Sequence, residues 1–228
     1  MPARLETFAS AGALAQAAAD EVFRRLTTGL DGRGEASLVA TGGRSPGPLY
    51  DWLCKAPLNW SRVTVTLSDE RCVAADAPEA NARLVRERLL RGPAGAAAFL
   101  PLWRDGGAVQ EGEIRALTPF DAVVLGVGDD GHVASLIPGM PGLAEAMDPD
   151  GARLVAEAAA GFGSPPVARI TLTLAALLQA RTILLLTAGE AKRRVIEAAL
   201  AGAELPVRAL LVQDRVPVRA LWAPHYQD

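Results

Sequence analysis

The stretch Asp121-Ala-Val-Val-Leu-Gly-Val-Gly-Asp-Asp-Gly-His-Val-Ala-Ser-Leu-Ile-Pro-Gly139 decides how this chain is read. The run from Asp121 to Leu125 is short and apolar and ends at a glycine, the pattern of a buried strand. Three glycines, two carboxylates and a histidine then follow between Gly126 and His132. Gly126, Gly128 and Gly131 allow a ligand to approach the main chain closely. A histidine delivered by a loop at a strand's C-terminal end stands where open α/β sheets place their chemistry. The chain has two histidines, His132 and His225. His132 is the candidate proton shuttle, and His225, after Pro224 near the C-terminus, is assigned to the surface.

Working outward, the same strand-then-polar-loop pattern recurs. Ser37 to Ala40 runs into Thr41-Gly-Gly-Arg-Ser-Pro46, and Val63 to Leu67 into Ser68-Asp-Glu-Arg71. Thr182 to Thr187 runs into Ala188-Gly-Glu-Ala-Lys192. Between them lie helical patterns. One spans 10–30, with Ser10 as cap, Leu14, Ala18, Val22 and Leu26 on one face, and Gly29 near its end. Others run from Pro46 or Pro48 to about Cys54, over 82–91, near 108–116, from Leu174 to Gln179, and from Lys192 to about Ala201. Further strands are expected at 153–156, 169–174 and 218–222, and a Gly/Pro/Ala-rich loop from Gly92 to Gly107. Alternating strands and helices predict an α/β fold with a mostly parallel sheet and helices on both faces. One domain is expected over 1–228, with a small subdomain around 140–168. In such a sheet the loops 41–45, 68–71, 126–132 and 188–192 gather along one edge.

The 228 residues are half hydrophobic and 21% charged, the profile of a soluble globular protein. A net charge of −3 argues against a nucleic-acid partner. Cys54 and Cys72 are too few for a disulfide framework and are expected as free thiols in a reducing cytoplasm. No apolar run reaches spanning length and the N-terminus lacks a signal-peptide core, so a cytoplasmic location away from membranes is predicted.

Several loop residues suit an anion. Gly42 and Gly43 with Ser45 offer backbone N–H groups and a hydroxyl at a helix start, and Arg44 adds charge. Arg71 suits a bidentate contact with phosphate. Lys192 lies in the first turn of its helix, where a cation is unfavourable unless an anion is bound nearby. Taken singly, each has a plainer reading: a tight turn, a surface charge cluster or an internal ion pair at 69–71, a solvated lysine. Gly126-Val-Gly-Asp-Asp-Gly131 also fits a dinucleotide-binding pattern, but two carboxylates in that loop would face a pyrophosphate. They suit a histidine better, and Asp129 and Asp130 are both within loop reach of His132. Metal binding lacks a ligand cluster. Ser135 lacks the sharp Gly-x-Ser-x-Gly turn of a nucleophile, so water activated by His132 is the simpler chemistry.

From about residue 8 to residue 223 the sequence resembles the bacterial 6-phosphogluconolactonase family. The resemblance rests on Thr41–Pro46, Ser68–Arg71, Asn81 within Pro78-Glu-Ala-Asn81, Gly126–Pro138, Arg169-Ile-Thr-Leu-Thr173 and Gly189-Glu-Ala-Lys192, in the family's order. It implies a Rossmann-like α/β fold, no cofactor or metal, and hydrolysis of 6-phospho-D-glucono-1,5-lactone, a small phosphorylated sugar lactone. His132 would then be the general base and Asp130 its orienting partner. Arg71, Lys192 and the Gly42-Gly43 backbone, with Arg44 and Ser45 beside them, would hold the phosphate. Arg169 and Asn81 would edge or support the pocket, and a monomer is expected. Three departures from the family stand out: Thr41-Gly-Gly-Arg-Ser45 for Ser-Gly-Gly-Ser-Thr, Ile137 for Phe, and Ala80 for Ser. The rival readings are a glucosamine-6-phosphate deaminase/isomerase and a non-catalytic sugar-phosphate sensor. Val133-Ala-Ser-Leu136 and Asp69-Glu-Arg71 stand where the deaminases carry Ile-Ala-Phe-Asn-Glu and Asp-Glu-Tyr.

Overall fold

Strand and helix alternate along the chain as the apolar pattern requires. The structure, a computed structural model, describes residues 3–104 and 106–225, so residues 1–2, 105 and 226–228 of the expected 1–228 unit lie outside the described residues. β1 (Leu5–Thr7) precedes α1 (Ala11–Arg33), β2 (Ala36–Ala40), α2 (Gly47–Leu53), β3 (Val63–Leu67), β4 (Asp69–Arg71) and α3 (Asn81–Arg88). The middle of the chain holds β5 (Ala98–Leu100), β6 (Trp103–Arg104), β7 (Gly107–Ala108), α4 (Glu111–Arg115) and β8 (Ala122–Gly126). Then come α5 (Leu143–Ala146), β9 (Val155–Ala158), β10 (Arg169–Leu172), α6 (Leu174–Leu177) and β11 (Ile183–Ala188). α7 (Glu190–Leu200), α8 (Pro206–Val212) and β12 (Val218–Ala223) complete it.

The main sheet has seven strands in the order β1-β12-β11-β8-β2-β3-β5, and every pairing in it is parallel. β2 and β11 are buried at every position, which requires cover on both faces and explains their continuous apolar sequence. α1 supplies part of that cover. Ser10 Oγ accepts the Ala13 N–H at 3.2 Å to start it, and Leu14, Ala18, Val22 and Leu26 are buried along one stripe. Each of the larger of these contributes roughly 1.5–3 kcal/mol by burial. The helix does not stop near Gly29; it continues to Arg33, and the Gly34 N–H then takes the Leu30 carbonyl.

The chain also departs from expectation at 68–71, which is no loop. Asp69–Arg71 is a strand, paired antiparallel with β10, which in turn pairs with β9. This second, three-stranded sheet sets Arg71 directly opposite Arg169. The expected loop 92–107 contains β5, an edge strand on β3, and a short β6–β7 pair. The expected strand 153–156 begins two residues later, at Val155. α8 was not anticipated, although Pro206 opens it and Val207, Leu210 and Leu211 form its buried face. Within 140–168, Met140, Ala146 and Leu154 share one buried core with residues from Ala3 to Ala223.

From β2 the chain steps outward through β3 to β5, and from β8 it steps the other way through β11 to β12. The order therefore reverses between β2 and β8, and open α/β sheets place their ligands at the C-terminal edge of that crevice.

Candidate active site

The C-terminal ends of β2, β3, β8 and β11, neighbours in the sheet, lead into segments that, with α3 and β10, line a cavity of about 340 Å³. That volume suits a small ligand. Its lining includes Gly42, Gly43, Arg44, Ser45, Arg71, Asn81, His132, Arg169 and Lys192. Asp130 does not line it but stands directly behind His132. The cavity thus collects the residues that the four loops and the Arg169 and Asn81 motifs single out.

The β8 loop folds back on itself. The Gly128 N–H bonds the His132 carbonyl at 2.8 Å, and the Gly131 N–H bonds the Gly128 carbonyl at 3.1 Å. Asp130 Oδ1 lies 2.6 Å from His132 Nδ1 and also accepts the His132 backbone N–H at 3.1 Å. A carboxylate at that distance fixes Nδ1 as the protonated nitrogen and leaves Nε2 as the basic one. Burial alone would raise the Asp130 carboxyl, but the His132 backbone donor, charge and ring donor outweigh it and hold the group below the ordinary value of 3.8. Gly128 makes this arrangement possible: a Cβ there would lie 2.1 Å from His132 Nδ1 and 2.5 Å from Asp130 Oδ1. Of the two adjacent carboxylates, then, Asp130 contacts the ring. Asp129 turns the other way and meets Lys192 Nζ at 2.9 Å.

The cationic side of the cavity is built on β4, α3 and β10. Glu70, 2% exposed, is not a surface charge. Its Oε1 accepts the backbone N–H groups of Arg71 and Asn81 at 2.7 Å each, and its Oε2 that of Ala82 at 2.7 Å. It therefore ties the start of α3 to β4, satisfying donors that a helix N-terminus leaves open. Burial still pushes its carboxyl above the ordinary range despite those three donors. Asn81 Oδ1 accepts from Arg71 at 2.7 Å while its Nδ2 donates to the Asp69 carbonyl at 2.8 Å. Arg71 donates also to the Glu79 carbonyl, and its buried Nε has no protein partner. Gly42 lets the β2 loop press against this group, since a Cβ there would lie 1.8 Å from Asn81 Oδ1.

Arg169 is 3% exposed and donates to the Pro165 carbonyl at 2.9 Å. Asp69 Oδ2 lies 3.9 Å from it and accepts the Ser135 hydroxyl at 2.6 Å. Burial lowers the Arg169 guanidinium from its ordinary value, opposed by Asp69. Ser135 is fully buried and committed to Asp69, which leaves its hydroxyl no nucleophilic role at His132. The Asp69–Ser135–Arg169 set was not foreseen as a unit, because its members come from β4, the β8 loop and β10. Ser164, Thr41 and Ala134 also line the cavity. Ala134 has a positive φ of 50°, a backbone strain typical of functional loops. Among the described residues no group of three or more His, Cys, Asp or Glu is placed to hold a metal ion.

A doubly wound α/β domain with a His–Asp pair and several cations at its topological switch point defines an enzyme acting on a small anionic substrate. Comparison with known proteins narrows this. Residues 9–222 match the family of glucosamine-6-phosphate isomerases/6-phosphogluconolactonase, and the chain belongs to that family. The 6-phosphogluconolactonase of Caulobacter vibrioides is 42% identical over 228 residues, covering 97% of this chain and 98% of that one. That of Pseudomonas aeruginosa is 42% identical over 96% of this chain and 94% of its own. The crystal structure of a 6-phosphogluconolactonase from Shewanella baltica superposes with a TM-score of 0.89 at 36% identity, covering 97% of both chains.

Proposed function

We propose that this chain hydrolyses 6-phospho-D-glucono-1,5-lactone to 6-phosphogluconate, with His132 as general base. The observation that carries the reading is the His132–Asp130 contact of 2.6 Å beside a cavity lined by Arg44, Arg71, Arg169 and Lys192. Relatives named for this activity, 42% identical over nearly the whole chain, support it.

His132 Nε2 takes a proton from water as the water oxygen attacks the lactone carbonyl carbon. Asp130 holds the ring and stabilises the imidazolium that forms. The tetrahedral intermediate collapses by breaking the bond from C1 to the ring oxygen. That oxygen takes the proton from imidazolium and becomes a free hydroxyl, and the new acid ionises. Arg71 and Lys192, with the Gly42-Gly43 backbone, Arg44 and Ser45, bind the remote phosphate, whose binding energy places the carbonyl against His132. Asn81 supports Arg71, and Arg169 edges the pocket. The reading includes no cofactor and places the protein in the cytoplasm as a monomer. Among the described residues no helix is long and apolar enough to cross a membrane.

The test is turnover of lactone freshly made by glucose-6-phosphate dehydrogenase, with 6-phosphogluconate dehydrogenase reporting product as NADPH. A no-enzyme blank measures spontaneous opening. Wild type should exceed the blank, and His132→Ala should lose about 10²–10⁴-fold in kcat, the usual worth of a general base, with KM little changed. An unchanged kcat in the variant would reassign the base. No acceleration by wild type would defeat the lactonase reading, with glucosamine 6-phosphate tried next.

A further inference from the structure

We infer that Asp129 is an exchangeable counterion for Lys192: it stands in for the substrate's phosphate between turnovers and competes with the product's phosphate as the cavity empties. The inference rests on the reading of Lys192 as a phosphate ligand. Lys192 is the third residue of α7, in the turn where a helix dipole makes a cation unfavourable without an anion nearby. Its side chain is only 17% exposed, so it is held within the site and not swung out into solvent. The anion it has is the Asp129 carboxylate, at 2.9 Å.

The two partners are held very differently. Lys192 is largely enclosed, whereas the Asp129 side chain is 81% exposed at the tip of the β8 loop. Asp129 makes no contact with His132, whose ring is oriented by Asp130 alone. Withdrawing Asp129 from Lys192 breaks one ion pair whose acidic member is exposed, and the carboxylate gives up little packing. Arg71 and Arg169 are held differently. Arg71 is held by the neutral oxygens of Asn81 and the Glu79 backbone, and Arg169 by the Pro165 carbonyl and Ser135, with the buried Asp69 carboxylate 3.9 Å away. Lys192 is thus a cavity cation whose partner is an exposed carboxylate in reach of exchange.

The chemistry gives the exchange a purpose. Hydrolysis converts a ligand with one anionic group into one with two, because ring opening adds a carboxylate to the phosphate. A cavity lined with cations would hold that product more firmly than the lactone, unless a built-in anion takes back part of its binding charge.

Asp129→Asn tests this directly. Calorimetric titration with inorganic phosphate and with 6-phosphogluconate should show roughly two- to fivefold tighter binding than wild type, the span of an ion pair with one exposed member. The product inhibition constant should fall in the same proportion. In a Lys192→Ala background the same substitution should change phosphate binding by less than about 1.5-fold, because the partner through which it acts is gone. An equal gain in both backgrounds would mean a general loss of negative charge and overturn the inference. So would unchanged or weaker phosphate binding in Asp129→Asn when Lys192→Ala alone weakens it. Phosphate binding unaffected by Lys192→Ala would instead remove the reading of Lys192 itself, and the inference with it. Asp129 is exposed and unpacked, so the thermal unfolding of Asp129→Asn should match that of wild type.

Discussion

Gly128→Ala separates the geometry of the His–Asp pair from its chemistry, since it removes no functional group. An added Cβ would stand 2.1 Å from His132 Nδ1, while ordinary contacts begin at 3.4 Å, so the ring must move by about 1.3 Å. The nearest atoms are all side-chain atoms of His132 and Asp130. The clash is therefore relieved by swinging the ring and its carboxylate, with little disturbance of the backbone. Stability should fall by no more than about 1–3 kcal/mol, the usual cost of overpacking. Catalysis should suffer far more, because a misplacement of about 1 Å can cost 10²-fold. A hundredfold loss in kcat corresponds to about 2.7 kcal/mol in the barrier. The coupled NADPH assay with the spontaneous blank subtracted gives kcat and KM, and urea unfolding gives the stability. A folded Gly128→Ala enzyme with kcat within about threefold of wild type would refute the claim that the observed ring position is the working one.

Arg71→Ala should raise KM for the phosphorylated lactone about 10- to 100-fold, the worth of a charge-assisted hydrogen bond of roughly 1.5–3 kcal/mol, with a smaller change in kcat. A kcat loss at constant KM, seen in the same assay, would move Arg71 to the reacting carbonyl. Glu70→Gln replaces a three-fold acceptor with an amide and should destabilise the fold by about 1–3 kcal/mol. Its pH dependence has a definite sign. Burial raises the Glu70 carboxyl, so its contribution is full below the ordinary value of 4.5 and is lost as pH rises through the folded-state value. The stability gap between wild type and Glu70→Gln, measured by urea unfolding, should be widest in acid and narrow as pH rises. A gap that widens towards neutrality would contradict that sign.

The sequence made the parallel sheet legible because Ser37–Ala40, Asp121–Leu125 and Thr182–Thr187 are mostly apolar runs and Val63–Leu67 alternates, each followed by a polar segment. A strand buried on both faces carries its signal in every residue. The second sheet was harder to read. Asp69-Glu-Arg71 has no apolar residue, and it is a strand only because β10 lies beside it. A tertiary partner of that kind leaves no local periodicity. For the same reason Glu70, a charged residue by sequence, proves to be the clamp on α3. Which aspartate faces His132 was equally undecidable from spacing, since a tight loop offers both. The direction each takes depends on Gly128, which leaves room for the ring against Asp130, and on Lys192, 63 positions beyond Asp129, which draws that carboxylate. α8 was legible in principle: Pro206 followed by apolar residues at 207, 210 and 211 is a helix start with one buried face.

The arrangement at the sheet's far edge bears on when the molecule becomes whole during synthesis. Among the described residues β1 pairs with β12 alone, and Leu5 must wait for Ala220, 215 positions later, before it can pair. β12 also braces the start of α7: the Gly189 N–H bonds the Ala223 carbonyl at 2.9 Å, and the Trp222 indole donates to the Gly189 carbonyl at 2.9 Å, three residues ahead of Lys192. The His132 loop emerges from the ribosome long before these last contacts exist. A nascent chain stalled short of β12 would therefore carry its His132–Asp130 pair without the strand that fixes the base of α7.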